Sequence, residues 1–131
     1  MKIIDKIALI YIQDKKILVT KSKGKDVFYL PGGKRKNNET DMETLCREIK
    51  EELMVDIIPN SAIYYGIFYA EADGKSSNVL VKMTCYLADY EGKPQVDNEI
   101  DEICWLTYEN IDNVSSVGRI VLYDLRHKGL L

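Results

Sequence analysis

Three glutamates within one short segment are of the residue type that binds hard metal ions. Glu48, Glu51 and Glu52 stand at helical spacing, so on a helix their side chains share one face. Carboxylates held that close repel one another, and a divalent cation among them would relieve the repulsion. All-oxygen ligation suits Mg²⁺ or Mn²⁺. The spacing therefore favours a cation site, and the alternative is a plain solvated acidic face.

The segment in front of these glutamates predicts how they are positioned. Pro31-Gly32-Gly33 stops a strand and allows the backbone to approach a ligand closely. Thr40 and Glu43 form a capping-box pattern, in which each side chain satisfies a free backbone donor of the other residue. The helix is predicted over Thr40–Leu53 and carries an apolar stripe of Met42, Leu45, Cys46, Ile49 and Leu53.

Strands are predicted on both sides of this helix. Runs of β-branched and apolar residues lie at 3–12, Ile17–Thr20, Val27–Leu30, Ala62–Glu71, Val79–Asp89 and Glu102–Thr107. Asp73-Gly74 is predicted to form a hairpin, and Val117–His127 is predicted to be a closing helix. A strong helix between strands favours an α/β fold, with a mixed sheet covered by helices.

Composition limits the classes of function. The chain has 131 residues and a net charge of -3, which fits one domain and argues against binding to a nucleic-acid polymer. Three widely spaced cysteines without a CxxC pair indicate neither a zinc site nor a disulfide framework. A reducing cytoplasm fits best. No segment approaches the roughly 18–20 apolar residues that would span a membrane.

Residues 33–55 resemble the Nudix box of the Nudix (MutT-like) hydrolases. The pattern is Gly33, five residues, Glu39, seven residues, and then Arg47-Glu48-Ile49-Lys50-Glu51-Glu52, followed by Met54 and Val55. Every defined position matches except the last glycine of the box, which is Met54 here. Fixed residue types at fixed spacing make this a strong signal, and the resemblance is expected to extend over one domain, 1–131.

The resemblance implies an α/β/α sandwich with a mixed β-sheet. It also implies hydrolysis of a nucleoside diphosphate linked to another group, by water attack on phosphorus. Glu48, Glu51 and Glu52 would bind the metal, and one of them would help to deprotonate the water. The Gly33 carbonyl would be a further ligand. A downstream acid often completes such a site; of Glu99, Asp101 and Glu102, the last is favoured by its Glu-x-x-Trp spacing.

The family also implies supporting and substrate-binding residues. Glu39 and Arg47 would brace the loop and the helix through a charge network. Lys21, Lys23 and Lys34 are candidate phosphate contacts, with a solvated loop as the alternative for each. Phe28, Tyr29, Tyr65, Phe68 and Tyr69 are candidates for stacking on a base, although at most one or two are expected to do so. Gly32 would allow close approach of the substrate.

Two questions stay open from the sequence. Met54 suggests either a different exit from the helix or a slightly longer helix, because the glycine in its place would adopt a left-handed conformation. The expected activity is a Mg²⁺-dependent pyrophosphohydrolase acting on a small-molecule nucleotide. The alternative is a catalytically silent nucleotide-binding sensor of the same fold. The sequence specifies neither the nucleotide derivative nor whether the chain forms a homodimer.

Overall fold

The computed structural model describes residues 1–73, 78–96 and 100–131. Nine strands and two α-helices lie within these residues. In chain order they are β1 Lys2–Ile10, β2 Ile12–Gln13, β3 Lys16–Ser22, β4 Gly32–Lys34, α1 Asp41–Leu53, β5 Asp56–Ile57, β6 Ile63–Glu71, β7 Val79–Leu87, β8 Tyr90–Glu91, β9 Ile100–Leu106 and α2 Ser116–His127. Short 3₁₀ helices occupy Pro59–Ser61 and Tyr108–Asn113.

The largest sheet is mixed, with strand order β4-β1-β7-β6. Strand β1 pairs in parallel with β7 along its whole length and antiparallel with β4. Strand β6 pairs antiparallel with β7. A three-stranded sheet has the order β2-β3-β9, and β5 pairs with β8. The predicted mixed sheet is confirmed.

Each face of the four-stranded sheet carries one α-helix. Successive residues of a strand point to opposite faces, and the fully buried end of β1 follows this rule. Ile7 and Leu9 belong to a core cluster that includes residues of α1, whereas Ala8 and Ile10 belong to a second cluster that includes residues of α2. The helical residues involved are Leu45, Ile49 and Leu53 of α1, and Val121, Leu122 and Leu125 of α2. The predicted α/β/α arrangement is therefore confirmed.

Residues 27–30 differ from the prediction of a strand. Tyr29 makes one isolated bridge to Thr20, and Phe28 makes one to Val114. The regular pairing comes later, where β4 lies against β1. The segment crosses from the three-stranded sheet to the four-stranded sheet, so it pairs only briefly with the first. In the Asp73-Gly74 prediction, Gly74 lies outside the described residues, but β6 and β7 do pair antiparallel.

Among the described residues, none of the helices is both long and apolar enough to cross a bilayer.

Candidate metal and substrate site

The loop before α1 is anchored at both of its ends. The Thr40 side chain accepts a hydrogen bond from the Glu43 N–H, and the Glu43 carboxylate accepts one from the Thr40 N–H, which completes the predicted capping box. The Arg35 guanidinium donates to Asp5 on β1, to the Glu39 carbonyl and to Asp41. These contacts tie the loop to the sheet and to the first turn of α1, so Arg35 is engaged by the protein itself.

Arg47 connects this loop to the acidic face of α1. Its Nε donates to Glu39 Oε2 at 2.7 Å, and its Nη2 donates to Glu39 Oε1 at 2.8 Å and to the Lys34 carbonyl at 3.0 Å. Its Nη1 donates to Glu48 Oε2 at 2.6 Å. Bidentate pairs of this kind fix geometry as well as adding attraction. The bracing contacts expected of Glu39 and Arg47 are present.

The charge of Glu39 is strongly favoured by this network. Hydrogen bonds from Arg47 first, and then from the Lys36 N–H, lower the pKa of the Glu39 carboxyl to about 2. The same contact with Glu39 raises the pKa of the Arg47 guanidinium above its ordinary value. Both groups are therefore charged throughout the range in which the protein would work.

Two glycines allow the loop to approach the sheet and the helix. Gly32 has φ of 144°, and a Cβ built on it would overlap the Ile7 carbonyl of β1. A Cβ on Gly33 would overlap the Glu48 carboxylate. The Gly33 backbone thus lies directly against the Glu48 carboxylate, and any side chain at position 33 would overlap that carboxylate.

The three glutamates have different surroundings. Glu48 accepts from Arg47, as described, and Glu52 Oε1 accepts from the Gly32 N–H at 3.2 Å. The Glu51 side chain is half exposed and lies 3.5 Å from Arg47. Within the part of the chain that the structure describes, no three His, Cys, Asp or Glu side chains are grouped as ligands for a metal. Glu48 and Glu52 thus each accept a hydrogen bond from a neighbouring donor of the protein.

A cavity of about 300 Å³ opens beside Glu52. One end is formed by the box residues Gly32, Gly33, Lys34 and Glu52, and part of its wall is apolar, formed by Ile4, Ala8, Val81 and Met83. Hydroxyl and further charged side chains also line it, namely Thr20, Ser22, Lys25, Glu71, Asp73 and Ser115. Apolar side chains with convergent polar and charged groups beside them are typical of a pocket for a small organic ligand.

The structure separates the predicted substrate residues into two groups. Gly32 and Lys34 line the cavity. Lys21 lies on β3 with its Nζ 3.8 Å from Glu102 on β9, Lys23 is exposed, and Phe28 packs against the α2 side of the core. Among the described residues, the cavity wall includes none of these four side chains. The roles expected of Lys21, Lys23, Phe28 and Glu102 stay predictions, and Glu99 lies outside the described residues.

Two further residues of the cavity lining bear on ligand binding. Lys6 was not singled out from the sequence, and Tyr29 was one of several aromatic candidates. The Lys6 side chain of β1 reaches the cavity, and its Nζ lies 5.6 Å from the centroid of the Tyr29 ring, which also lines it. Burial lowers the pKa of the Lys6 ammonium, although the carboxylates of Glu52 and Glu48 oppose that effect. The sequence held one signal, because Lys6 interrupts the alternate positions Ile4, Ala8 and Ile10 of a strand that is otherwise apolar on that face.

Met54 corrects the expectation about the helix exit. Helix α1 ends at Leu53, and Met54 itself adopts the left-handed conformation, with φ of 60° and ψ of 31°. Its N–H donates to the Lys50 carbonyl at 3.1 Å. The helix is neither longer nor routed differently, so methionine takes the strained conformation that a glycine would take more easily.

The chain matches a family model over residues 4–124, and that model describes the NUDIX domain. The match covers most of the chain. The protein therefore belongs to the Nudix family, as the box at residues 33–55 predicted.

Solved structures of similar fold include MutT-like proteins. The MutT Nudix hydrolase from Burkholderia pseudomallei is 22% identical, with a TM-score of 0.76 covering 94% of this chain and 98% of that one. A MutT protein from Methanosarcina mazei Go1 is 16% identical, with a TM-score of 0.78 covering 98% and 96%. At these identities the similarity establishes the fold.

A curated relative is the mRNA-decapping enzyme subunit 2 of Saccharomyces cerevisiae strain YJM789. It is 28% identical over an alignment of 112 residues that covers 82% of this chain. The aligned region is only 11% of the length of that relative. The similarity therefore concerns one part of a much longer protein.

Proposed function

We propose that this protein is a Mg²⁺-dependent pyrophosphohydrolase that cleaves a nucleoside diphosphate linked to another group. The observation that carries the proposal is the acidic face of α1, held against the Gly33 backbone by the Arg47 network, at the charged end of a cavity. Family membership supports hydrolysis of a pyrophosphate bond as the class of reaction.

The residues present fit a hard divalent cation. Glu48, Glu51 and Glu52, together with the Gly33 carbonyl, provide only oxygen donors, which suits Mg²⁺ or Mn²⁺. The space where a Gly33 Cβ would lie is occupied by the Glu48 carboxylate, so the Gly33 backbone and this carboxylate lie side by side without a side chain between them. When bound, Mg²⁺ would lower the pKa of a water molecule and offset charge on phosphate oxygens.

The protein's own residues would then do three things. Arg47 and Glu39 hold Glu48 at a fixed place relative to the loop. Glu52, which lines the cavity, would accept a proton from an attacking water. The apolar wall excludes water from the remainder of the substrate and leaves its phosphates at the charged end.

Glu52→Gln tests this proposal. The variant keeps the size of the side chain but loses its charge, so we expect kcat to fall about a hundredfold or more with little change in the thermal midpoint. Glu91→Gln is the matched control, because Glu91 is exposed on β8. Unchanged turnover by Glu52→Gln, in a folded protein, would reject the assignment.

The second candidate is a nucleotide-binding sensor without catalysis, favoured only by Met54 at the position of the box glycine. A panel of nucleotides, assayed for phosphate release with and without Mg²⁺, distinguishes the two. The panel should contain nucleoside triphosphates, ADP-ribose, dinucleoside polyphosphates and nucleotide sugars. A capped RNA belongs in it because of the decapping relative. Binding without product in every case would favour the sensor.

A further inference from the structure

Lys6 has a different environment from the other cations around the box. It lies on β1, between Lys34 of β4 and Met83 of β7 in the register of the sheet. Its side chain is partly buried and lines the cavity. Among the described residues, the Lys6 ammonium donates no hydrogen bond and forms no ion pair with a carboxylate. A buried ammonium without such a partner costs free energy in the folded protein.

Three other cations near the box are already engaged by the protein. Arg35 pairs with Asp5 and Asp41, and Arg47 pairs with Glu39 and Glu48. Outside the box, Lys21 lies near Glu102. These groups pair with carboxylates of the protein itself, so none of them could bind a ligand without breaking one of these contacts.

The surroundings of Lys6 indicate what it would bind. The charged groups that act on it most strongly are Glu52, Lys34 and Glu48, all residues of the box, and Asp73 acts more weakly. The Tyr29 ring face, 5.6 Å away, holds an ammonium by a cation–π contact without using its three N–H donors. The ammonium therefore lies at the junction between the carboxylates of α1 and the apolar part of the cavity.

We propose that Lys6 is a substrate-positioning residue that donates to a phosphoryl oxygen of the diphosphate at the mouth of the cavity. This inference rests on the proposed function, because it takes the charged end of the cavity as the place of the phosphates. A bound diphosphate supplies the anionic acceptor that the folded protein alone does not offer to Lys6. The cost of burying the ammonium is then offset only in the complex, which directs binding to anionic ligands.

The experiment measures binding of methylenediphosphonate, a non-hydrolysable diphosphate without a base, by calorimetry in Mg²⁺. Lys6→Met keeps most of the side-chain volume and removes the charge, so its Kd is expected to rise about tenfold or more. Lys6→Arg should recover part of the affinity. The matched control is Lys82→Met, because Lys82 is also partly buried and lies on the neighbouring strand β7, on the opposite face of the sheet.

Two further readouts separate positioning from a structural role. Because Lys6→Met removes a cation beside Glu52 and Glu48, Mg²⁺ alone should bind several-fold more tightly to the variant. Its thermal midpoint should be unchanged or higher, since an unpaired buried charge is replaced by an apolar group. If Lys6→Met does not fold, Lys6→Gln is measured in the same way.

Several outcomes would overturn the proposal. They are a diphosphonate affinity of Lys6→Met within twofold of the wild type, weaker Mg²⁺ binding by the variant, and no diphosphonate binding by the wild type. None of these measurements needs turnover. If Glu52→Gln kept full activity, the proposed function would fail, while the role of Lys6 in anion binding would still be decided by the affinities.

Discussion

The loop before α1 and the wall of the cavity both place cations near the acidic face of the helix, but they use them differently. In the loop, Arg35 and Arg47 direct their guanidinium groups to carboxylates and carbonyls of the protein itself. In the cavity, Lys6 faces an open space and an aromatic ring. In the first region the charges hold the loop and the helix together, whereas in the second we propose that the charge binds a ligand.

This contrast explains why the number of basic residues near a site is a poor guide to substrate binding. Arg35 lies in the box loop, next to Lys34, and the sequence alone offers it as readily to a phosphate. The structure gives it Asp5 and Asp41 as partners. A guanidinium with several donors in a fixed fork suits a fixed framework, while an ammonium on a flexible stem suits an exchangeable ligand.

The largest effect is expected from replacing Arg47, which connects the loop to the acidic face of α1. Arg47→Met loses the contacts to Glu39, Glu48 and the Lys34 carbonyl, so the free energy of unfolding should fall by about 2 kcal/mol, measured by urea denaturation. Arg47→Lys should recover little, because an ammonium cannot reproduce the bidentate pair. Lys50→Met is the control, because Lys50 also lies on α1 and forms an exposed pair with Asp56 of β5. Its loss should cost less than about 0.5 kcal/mol. Equal effects of the two Met variants would remove the contrast between the regions.

A smaller effect is expected at the end of α1, where Met54 adopts a positive φ. Met54→Gly should be more stable than Met54→Ala by about 1 kcal/mol, because only glycine adopts a positive φ without cost. The side chain is 49% exposed, so the alanine variant reports the modest loss of packing. Unfolding midpoints of both variants in urea provide the measurement. If alanine proved equal to glycine, the left-handed conformation of Met54 would carry no strain.

The smallest effect is expected from protonating Glu39, the carboxylate that pairs with Arg47. The folded pKa of Glu39 is about 2, below its ordinary value of 4.5. A lowered folded pKa means that the contribution of Glu39 is complete above about pH 4.5 and is lost as the pH falls towards 2. Stability of the wild type should therefore decrease more steeply over that window than stability of Glu39→Gln. Thermal midpoints at several pH values test this, and parallel curves would contradict it.

Much of α1 and of the loop before it could be predicted, because these parts depend on residues that are close together in the chain. The capping box, the apolar stripe of α1 and the spacing of Glu39 and Arg47 all depend on residues within a short stretch of chain, whose helical geometry follows from the sequence. The run of β-branched and apolar residues at 3–12 likewise indicated a strand. The Nudix box added the identity of the family, which the family model over residues 4–124 confirms.

The cavity depended on contacts between distant segments, which the sequence does not specify. Tyr29 and Lys6 meet there because residues 27–34 cross from one sheet to the other, and Phe28, one position away, turns into the core instead. A difference of one residue in an extended segment reverses the direction of its side chain.

The sequence by itself determined the helix, its acidic face and the family, because these depend on periodicity and fixed spacing along a few turns. Only the tertiary structure decided which cations pair with groups of the protein and which face the cavity. The physical reason is that a charged side chain takes a suitable partner that is near in space, and such a partner can be far away in the chain, as Asp5 of β1 is for Arg35.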